Sequence, residues 1–258
     1  LFAFRLAWRQ LTTHKTRLFT ASLGVAFACF LVFMQFGFRD SLYTSARLLP
    51  QSLNGDLFIL HKQTEAIWRS AYFSRLELAR ALGLRDVEVA APLYLGFAQF
   101  KNPQTMIKRT IMLWAYDPAY PALLLPELMN QQQMLSQDLA ASFDEHSRPE
   151  FGDILGHLAE GKHAVEVNDT RIEIWDTFKF GASFSAEGNV VTNVWTFLKI
   201  FPYRNSSQVD IGVIKVAEGA DVLALAAAHE LAGRLVGVGE GQDPVTVEAD
   251  GGALLAGR

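Results

Sequence analysis

Six carboxylate and imidazole side chains lie close together in the middle of the sequence, and such groups are common ligands of divalent metals. Their spacing matches no known metal-ligand pattern, and the segment 144–149 is polar, as a solvated loop would be. The sequence therefore predicts surface residues here and no metal site. The six residues are Asp144, Glu145, His146, Asp153, His157 and His163.

The sequence also lacks the short motifs of common catalytic and nucleotide sites. It contains no G-x-x-x-x-G-K-[ST], no G-x-S-x-G and no H-E-x-x-H. Gly237, Gly239 and Gly241 alternate without the lysine and hydroxyl residue of a phosphate loop, so a simple loop is expected. Asn168 and Asn205 each begin an N-x-[ST] sequon, which has meaning only in a host that glycosylates such sites. We expect no catalytic residue and no cofactor bound by this chain.

Composition narrows the class of protein. The 258 residues are 50% hydrophobic and 19% charged, with a net charge of −4. This excludes a disordered chain, which has low hydrophobicity and high net charge, and it argues against a nucleic-acid partner, which would need a basic face. The single cysteine, Cys29, excludes an internal disulfide framework.

The longest apolar run covers residues 18–38 and contains no charged residue. About 20 mostly apolar residues are needed for a helix to cross a bilayer core of about 30 Å, so the run predicts a transmembrane helix. The alternatives are a buried soluble helix, which rarely lacks charge over such a length, and a cleaved signal peptide. The run is too long for a signal-peptide core, and no small-residue cleavage site follows it.

The flanks of the run predict its orientation. Residues 1–17 hold four basic residues and no acidic one, so the rest of the chain carries 19 basic and 27 acidic groups. Because Lys and Arg are retained on the cytoplasmic side, the N-terminus is expected inside and the remainder outside the inner membrane. Residues 1–17 suit an amphipathic helix on the inner leaflet, or an ordinary basic flank. The expected interfacial anchors are Arg5, Trp8, Arg9, Lys15, Arg17 and Arg39.

Small residues four apart in the run predict close helix packing. Gly24 and Ala28 form one such pair, and Ser22 and Ala26 form another. Such spacing lets two membrane helices approach closely, although it is common in spans of this kind.

The remainder alternates strands and helices. Strands are predicted at 56–61, at 87–91 with a stop at Pro92 and a continuation at 94–100, and at 109–115. A capping box at 74–77 opens a helix with Leu78 and Leu82 on one face and Gly83 at its end. Residues 128–143 are predicted as a helix, followed by strands at 163–167, 171–175, 178–184 and 190–197 with turns at 168–169 and 187–189.

The C-terminal part returns to the first pattern. It has a predicted strand at 210–216, a helix capped by Asp221 whose Leu223, Ala227, Leu231 and Leu235 share a face, and a strand at 245–248. The two β-α-β portions around a β-rich insertion predict one ferredoxin-like α/β sandwich.

Several stretches of the sequence resemble DevC-type permeases of the MacB/FtsX superfamily of ABC transporters. They are 6–11 (LAWRQL), 15–18 (KTRL), 24–28 (GVAFA), 33–38 (FMQFGF), 178–184 (FKFGASF), 187–189 (EGN), 211–216 (IGVIKV) and 219–221 (GAD). The resemblance covers roughly residues 3–225.

The resemblance implies an α+β membrane protein with one N-terminal transmembrane helix and a periplasmic domain made of a ferredoxin-like porter part and an inserted β-rich, sabre-like part. The implied boundaries are 1–17 for the cytoplasmic N-terminus, 18–38 for the helix, 39–117 and 209–250 for the porter, 118–208 for the insertion and 251–258 for a tail. Permeases of this type have four transmembrane helices, so the chain is expected to be an N-terminal fragment.

The implied function is that of a non-catalytic permease subunit in an inner-membrane exporter. Its expected partners are a second copy of the permease, a separate ABC ATPase that binds the ATP, a periplasmic adaptor leading to an outer-membrane channel, and the lipid bilayer. Glycolipid is the cargo linked to DevC-type systems. The alternatives are a lipoprotein-releasing permease, a single-pass membrane-anchored sensor or binding module, and an anchored enzyme, which the missing catalytic motifs disfavour.

Overall fold

The computed structural model describes residues 15–61, 63–64, 71–181 and 186–220, and beyond them three short strands between residues 233 and 257. The chain divides into two compact units, Leu1–Leu48 and Leu49–Arg258. The porter and insertion boundaries within the second unit stay predictions.

Helix α1 runs from Lys15 to Ser52, a length of 38 residues. The predicted span at 18–38 lies inside it, and the helix continues at both ends of that prediction. Within α1, Lys15–Arg39 is long and apolar enough to cross a membrane by length and composition. The prediction of one N-terminal apolar helix is therefore confirmed at this level.

The first half of the second unit follows the predicted β-α-β-β order. Its elements are β1 (Leu57–His61), a short β2 (Phe73–Ser74), α2 (Arg75–Leu82), β3 (Val87–Lys101) and β4 (Lys108–Tyr116). Ser74 caps α2, as predicted, and its hydroxyl accepts a hydrogen bond from the Leu76 N–H. The predicted apolar face of this helix is only half right, since Leu78 is buried but Leu82 is 52% exposed.

The predicted end of a strand at Pro92 is wrong. Strand β3 is continuous over 15 residues, and Pro92 lies opposite Gly212 of β10 (Ile211–Val216). Pairing with β4 on the other side begins only at Leu93. Pro92 therefore lies just beyond the end of the β4 ladder, where a missing N–H removes no bond to that strand.

The middle of the unit alternates short helices and strands. In chain order they are α3 (Pro126–Asn130), α4 (Gln132–Leu135), β5 (Ala140–Asp144), a 3-10 turn (Pro149–Phe151), α5 (Ile154–Ala159), β6 (Ala164–Val167), β7 (Thr170–Phe178), β8 (Asn189–Asn193) and α6 (Val194–Ile200). The predicted turn at Asn168 and Asp169 is confirmed, because both residues have positive φ, as a tight hairpin turn requires.

Three predictions in this region are wrong. The helix predicted at 128–143 is interrupted after α4, and Leu139 adopts a φ of 60° before the chain enters β5, whose residues are all buried. Of the strand predicted at 178–184, only Phe178 is in a strand among the described residues, as the last residue of β7, because the Asp144 carboxylate takes the N–H groups of Phe180 and Gly181. The strand predicted at 190–197 changes to helix at Asn193, whose side chain accepts from the Thr196 N–H.

The last strands are β9 (Gln208–Val209), β10, β11 (Gly233–Gly237), β12 (Pro244–Thr246) and β13 (Leu255–Gly257). The predicted helix at 221–235 lies largely outside the described residues, and its final member, Leu235, is in β11 opposite Ile59. The predicted helical placement of Leu235 is therefore wrong. Gly237 ends β11 rather than lying in a loop, while Gly239 and Gly241 lie outside the described residues.

One mixed sheet contains eleven of these strands, in the order β12-β13-β11-β1-β10-β3-β4-β8-β5-β7-β6. Strand β10 lies between β1 and β3, so the β1-α2-β3 unit is split, as the ferredoxin-like prediction requires of its first half. Residues 221–232, which would hold the second helix of that motif, are outside the described residues. The strands of the predicted insertion continue this same sheet.

The sheet closes on itself at one end. Strand β6 pairs with β7 and also with β3, at Phe100–Val167 and Lys101–Glu166. Strands β3, β4, β8, β5, β7 and β6 therefore form a closed ring of six, referred to below as the strand ring.

Strand β1 is buried on both faces of the sheet. In β1, Leu57 and Ile59 pack into one apolar layer, and Phe58 and Leu60 pack into the other. Alternate residues point to opposite faces, so a strand covered on both sides is apolar throughout. Gly212 permits the packing of α2 on this sheet, because a Cβ there would lie 2.5 Å from the Leu78 side chain.

A buried tyrosine predicts a loss of stability at high pH. Burial raises the pKa of Tyr116 from 10.0 to about 12, against a smaller lowering by its hydrogen bond with Gln132. Because the folded state favours the neutral phenol, this contribution is fully present below pH 10 and is lost as the pH rises toward about 12. The linked change in unfolding free energy is about 2–3 kcal/mol at most.

Replacing this phenol tests the prediction. In Tyr116→Phe we expect the unfolding free energy to fall less between pH 10 and pH 12 than in the parent protein, as measured by urea unfolding across that range. Gln132 Nε2 also donates to the Leu128 carbonyl, so the variant retains a partner for that amide. Parallel pH profiles for the two proteins would contradict the assignment.

Candidate functional site

The apolar segment of α1 is the feature of the described chain with the clearest functional chemistry. None of the most apolar window of Lys15–Arg39 is buried within the chain, and Phe19, Phe27 and Phe33 are 69%, 61% and 74% exposed. A helix rises about 1.5 Å per residue, so the 21 uncharged residues extend about 32 Å, close to the apolar thickness of a bilayer. Thr20, inside the run, donates its hydroxyl to the Thr16 carbonyl, which satisfies it within the helix.

The predicted packing residues lie on two different faces of this helix. Gly24 and Ala28 share one face, and Ser22 and Ala26 lie about 200° around the axis from them. All four are exposed in the single chain, and a Cβ at Gly24 would have no atom within 4 Å. Within the described residues nothing covers either face, and the role of these four residues in helix packing stays a prediction.

The predicted interfacial anchors lie near the ends of the apolar segment where they are described. Lys15 and Arg17 precede it, and Arg39 follows it, with its guanidinium 5.0 Å from the centre of the Phe36 ring. Charged residues only at the two ends are what a membrane-spanning helix requires. Arg5, Trp8 and Arg9 lie outside the described residues.

The six carboxylate and imidazole residues of the 144–163 region do not form a metal site. In the described part of the chain, no group of three or more His, Cys, Asp or Glu side chains could hold a metal ion. Asp153 instead caps α5 through the Gly156 N–H, and the His163 ring stacks on Trp175 at 4.2 Å between ring centres. His157 is partly exposed at the surface.

Asp144 departs from the predicted surface position, because it is fully buried. Its carboxylate accepts hydrogen bonds from the N–H groups of His146, Phe180 and Gly181 and from Asn189 Nδ2. A buried carboxylate needs this kind of satisfaction to be tolerated. Asp144 therefore holds the chain after β7 against the start of β8, which is a structural role.

A second buried charge was not predicted from the sequence. Arg204 and Asp210 are 7% and 2% exposed, and the guanidinium donates to the carboxylate at 2.7 Å. Arg204 also donates to the carbonyls of Leu95 and Gln208, while Asp210 accepts from the Leu95 N–H. The pair thus fixes the segment between α6 and β10 to strand β3.

An aromatic ring completes this group. The guanidinium of Arg204 lies 3.7 Å from the centre of the Tyr72 ring, which is close enough for a cation–π contact. No local sequence motif predicts the pair, because Leu95, which it contacts on β3, is more than a hundred residues away in the chain. The only sequence signal is two opposite charges beside apolar residues at 201–216.

Comparison with known proteins adds little to this description. No family model matches the sequence, and no curated protein matches it. Among solved structures, the periplasmic region of MacB from Actinobacillus actinomycetemcomitans is similar with a TM-score of 0.46 at 9% identity, over 69% of this chain and 82% of that one. The extracellular domain of the noncanonic ABC-type transporter YknZ from Gram-positive bacteria gives 0.44 at 10% identity, over 67% and 89%. Values this low do not by themselves establish a family.

Proposed function

We propose that this chain is a permease subunit of an ABC-type exporter, anchored in the inner membrane by the apolar segment of α1. The observation that carries the proposal is an exposed, uncharged helix of membrane-spanning length that leads directly into a large α/β unit. The sequence resemblance to DevC-type permeases supports the same conclusion. In this assignment, residues 1–17 face the cytoplasm and the unit Leu49–Arg258 is periplasmic.

The proposed role is to bind partner subunits and to couple ATP hydrolysis on another chain to export, rather than to catalyse a reaction. A separate ABC ATPase would bind and hydrolyse ATP, and a periplasmic adaptor would connect the second unit to an outer-membrane channel. A second copy of the permease would pack against the first, and glycolipid is the proposed cargo. The absence of the common phosphate-loop motif from the sequence is in keeping with an ATPase on another chain.

The continuity of α1 supplies a physical means of coupling. The helix does not stop where the apolar segment ends at Arg39 but continues to Ser52. A helix resists bending because each N–H is bonded within it, so tilting one part displaces the other. ATP binding to the separate ATPase would favour one of two arrangements of the permease dimer, and this helix would transmit the change to the second unit.

Cysteine labelling tests the proposed orientation. Cys29, the only cysteine in the sequence, lies within the apolar run, which a membrane-impermeant reagent would not reach in a bilayer. In intact spheroplasts, a membrane-impermeant maleimide should label Gln133→Cys, at an exposed position of the second unit, and should not label Thr13→Cys. Labelling of Thr13→Cys but not of Gln133→Cys would show that the orientation is the opposite of the proposed one. Labelling of both would show that the segment does not span the membrane.

The genomic locus tests the assignment to an exporter. We expect three further hydrophobic spans downstream in the same reading frame, with adjacent genes for an ATPase containing a phosphate-loop motif and for a coiled-coil adaptor. A single-span gene without such neighbours would instead favour the second candidate, a membrane-anchored sensor or binding module. A lipoprotein-releasing permease would show the three spans and the ATPase without the adaptor.

A substitution at Gly24 tests the proposed dimer contact. Because a Cβ at Gly24 would have no atom within 4 Å, Gly24→Ile should leave the helix intact but keep a partner helix away. We expect self-association in liposomes, measured by energy transfer between labelled chains, to weaken about tenfold.

Two matched variants identify the packing face. Leu23→Ile changes an adjacent exposed position and should have no effect, while Ser22→Ile tests the other small-residue face. If Ser22→Ile alone weakens association, the packing face is the one that holds Ser22 and Ala26. If neither variant does, the dimer does not depend on these residues.

A further inference from the structure

A hollow of about 390 Å³ lies where the strand ring closes. Strands β3, β6 and β7 and helix α5 contribute to its wall, together with the turn that joins β3 to β4. Its residues include Lys101, Pro103, Met106, His157, Glu166 and Arg171.

Three charged residues that line this hollow lie in a row across neighbouring strands. Glu166 pairs in register with Lys101 on one neighbouring strand and with Arg171 on the other. Lys101 Nζ donates to the Glu166 carboxylate at 2.9 Å. Arg171 is exposed and makes no ion pair within the described part of the chain, so its guanidinium is available to a ligand.

Apolar residues also line the hollow. Pro103 and Met106 from the β3–β4 turn and Ala164 and Val165 from β6 contribute to it. Met106 is 60% exposed, although it is among the larger apolar side chains of the second unit. A guanidinium beside an exposed apolar surface is a combination that suits a ligand with an anionic end and an apolar body.

The walls of the hollow are held in place without a ligand. Asn102 is 4% exposed, and its side-chain oxygen accepts the N–H groups of Gln104 and Thr105. Its amide nitrogen donates to the Glu150 carbonyl, and Gln104 Nε2 donates to the Asp153 carbonyl. These bonds connect the β3–β4 turn to the start of α5, so a ligand would not have to order that turn on binding.

We propose that this hollow is a binding site for a small amphipathic anion. The phosphate or carboxylate of the ligand contacts Arg171, and its apolar group lies against Met106. The proposal does not depend on the exporter assignment, because it rests only on residues of the second unit.

Phenyl phosphate is the probe that carries both features. Its binding to the whole chain in lipid nanodiscs is measured by isothermal titration calorimetry, with empty nanodiscs as the blank. Inorganic phosphate supplies the anion without the ring, and phenyl β-glucoside supplies the ring without the anion. We expect phenyl phosphate to bind at least tenfold more tightly than either, since both halves of the site contribute.

Variants locate the site. Arg171→Gln should weaken the binding of phenyl phosphate about tenfold, because it removes the charged hydrogen-bond donor. Lys179→Gln makes the same charge change beyond the far end of β7 and should have no effect. Met106→Asn should reduce the affinity for phenyl phosphate to that for inorganic phosphate. Asn is chosen because it tolerates the φ of 62° at that position.

Three results would overturn the proposal. Equal binding of phenyl phosphate and inorganic phosphate would leave only a nonspecific charge effect. Equal effects of Arg171→Gln and Lys179→Gln would place the binding elsewhere. No binding of any probe, with binding instead of an acidic peptide, would make the hollow part of a protein-binding surface.

Discussion

Arg204→Met is expected to lower the unfolding free energy by about 3–5 kcal/mol, because breaking a buried ion pair leaves the remaining charge buried without its partner. The guanidinium and the Asp210 carboxylate are both nearly inaccessible, at 3% and 2% side-chain exposure. Removing the Arg204 guanidinium also leaves the carbonyls of Leu95 and Gln208 without this hydrogen-bond donor. Urea unfolding of the purified chain in detergent, followed by near-ultraviolet circular dichroism, measures the change.

Two further variants separate the buried charge from the general loss of a side chain. Arg80→Met breaks the exposed pair with Glu77 and should cost less than about 1 kcal/mol. Adding Asp210→Asn to Arg204→Met removes the buried charge but keeps an acceptor for the Leu95 N–H, so stability should partly recover. If the double variant is less stable than Arg204→Met, the cost does not arise from the unpaired carboxylate.

Phe27→Arg is expected to raise the apparent free energy of membrane insertion by about 3 kcal/mol, because Arg at the centre of a span is unfavourable and Phe is favourable. Phe27 lies in the middle of Lys15–Arg39 and is 61% exposed, so the described residues leave the new charge largely unshielded. The measurement is the inserted fraction in a microsome insertion assay, converted to a free energy.

Thr16→Arg is the matched control for this variant. It adds the same charge at the basic end of the segment, where Arg is tolerated, and should leave insertion unchanged or improved. Phe27→Leu controls for the loss of the aromatic ring. If Phe27→Arg inserts as well as Thr16→Arg, the segment does not span the bilayer in the proposed register.

The sequence predicted the elements whose signals are local. The apolar run, the strand at 56–61 and the turn at Asn168 and Asp169 each depend on neighbouring residues only, and the structure agrees with them. Asn193 was missed although its signal was also local, since an N-cap residue can end a strand and begin a helix within one continuous apolar stretch.

Other features were beyond prediction from one sequence because distant residues create them. The Asp144 carboxylate ends β7 by taking N–H groups some 36 residues away, so the apolar pattern at 178–184 gave a false strand. The strand ring depends on Phe100 pairing with Val167, and the hollow at its end takes residues from three strands and a helix. Neither spacing nor composition reports such contacts.

Strand β1 has consequences for biosynthesis. Both of its neighbours, β10 and β11, come from the far end of the chain, with Leu57 opposite Ile214 and Gly237. If the chain crosses the membrane from its N-terminus onward, β1 emerges early and waits for about 150 residues before either partner can reach it. Its two apolar faces and two unpaired edges would be open to wrong partners throughout that interval. In the proposed orientation, secretion of the second unit would therefore have a vulnerable period whose length is set by the strand order, and a periplasmic chaperone that holds extended apolar segments should raise its yield.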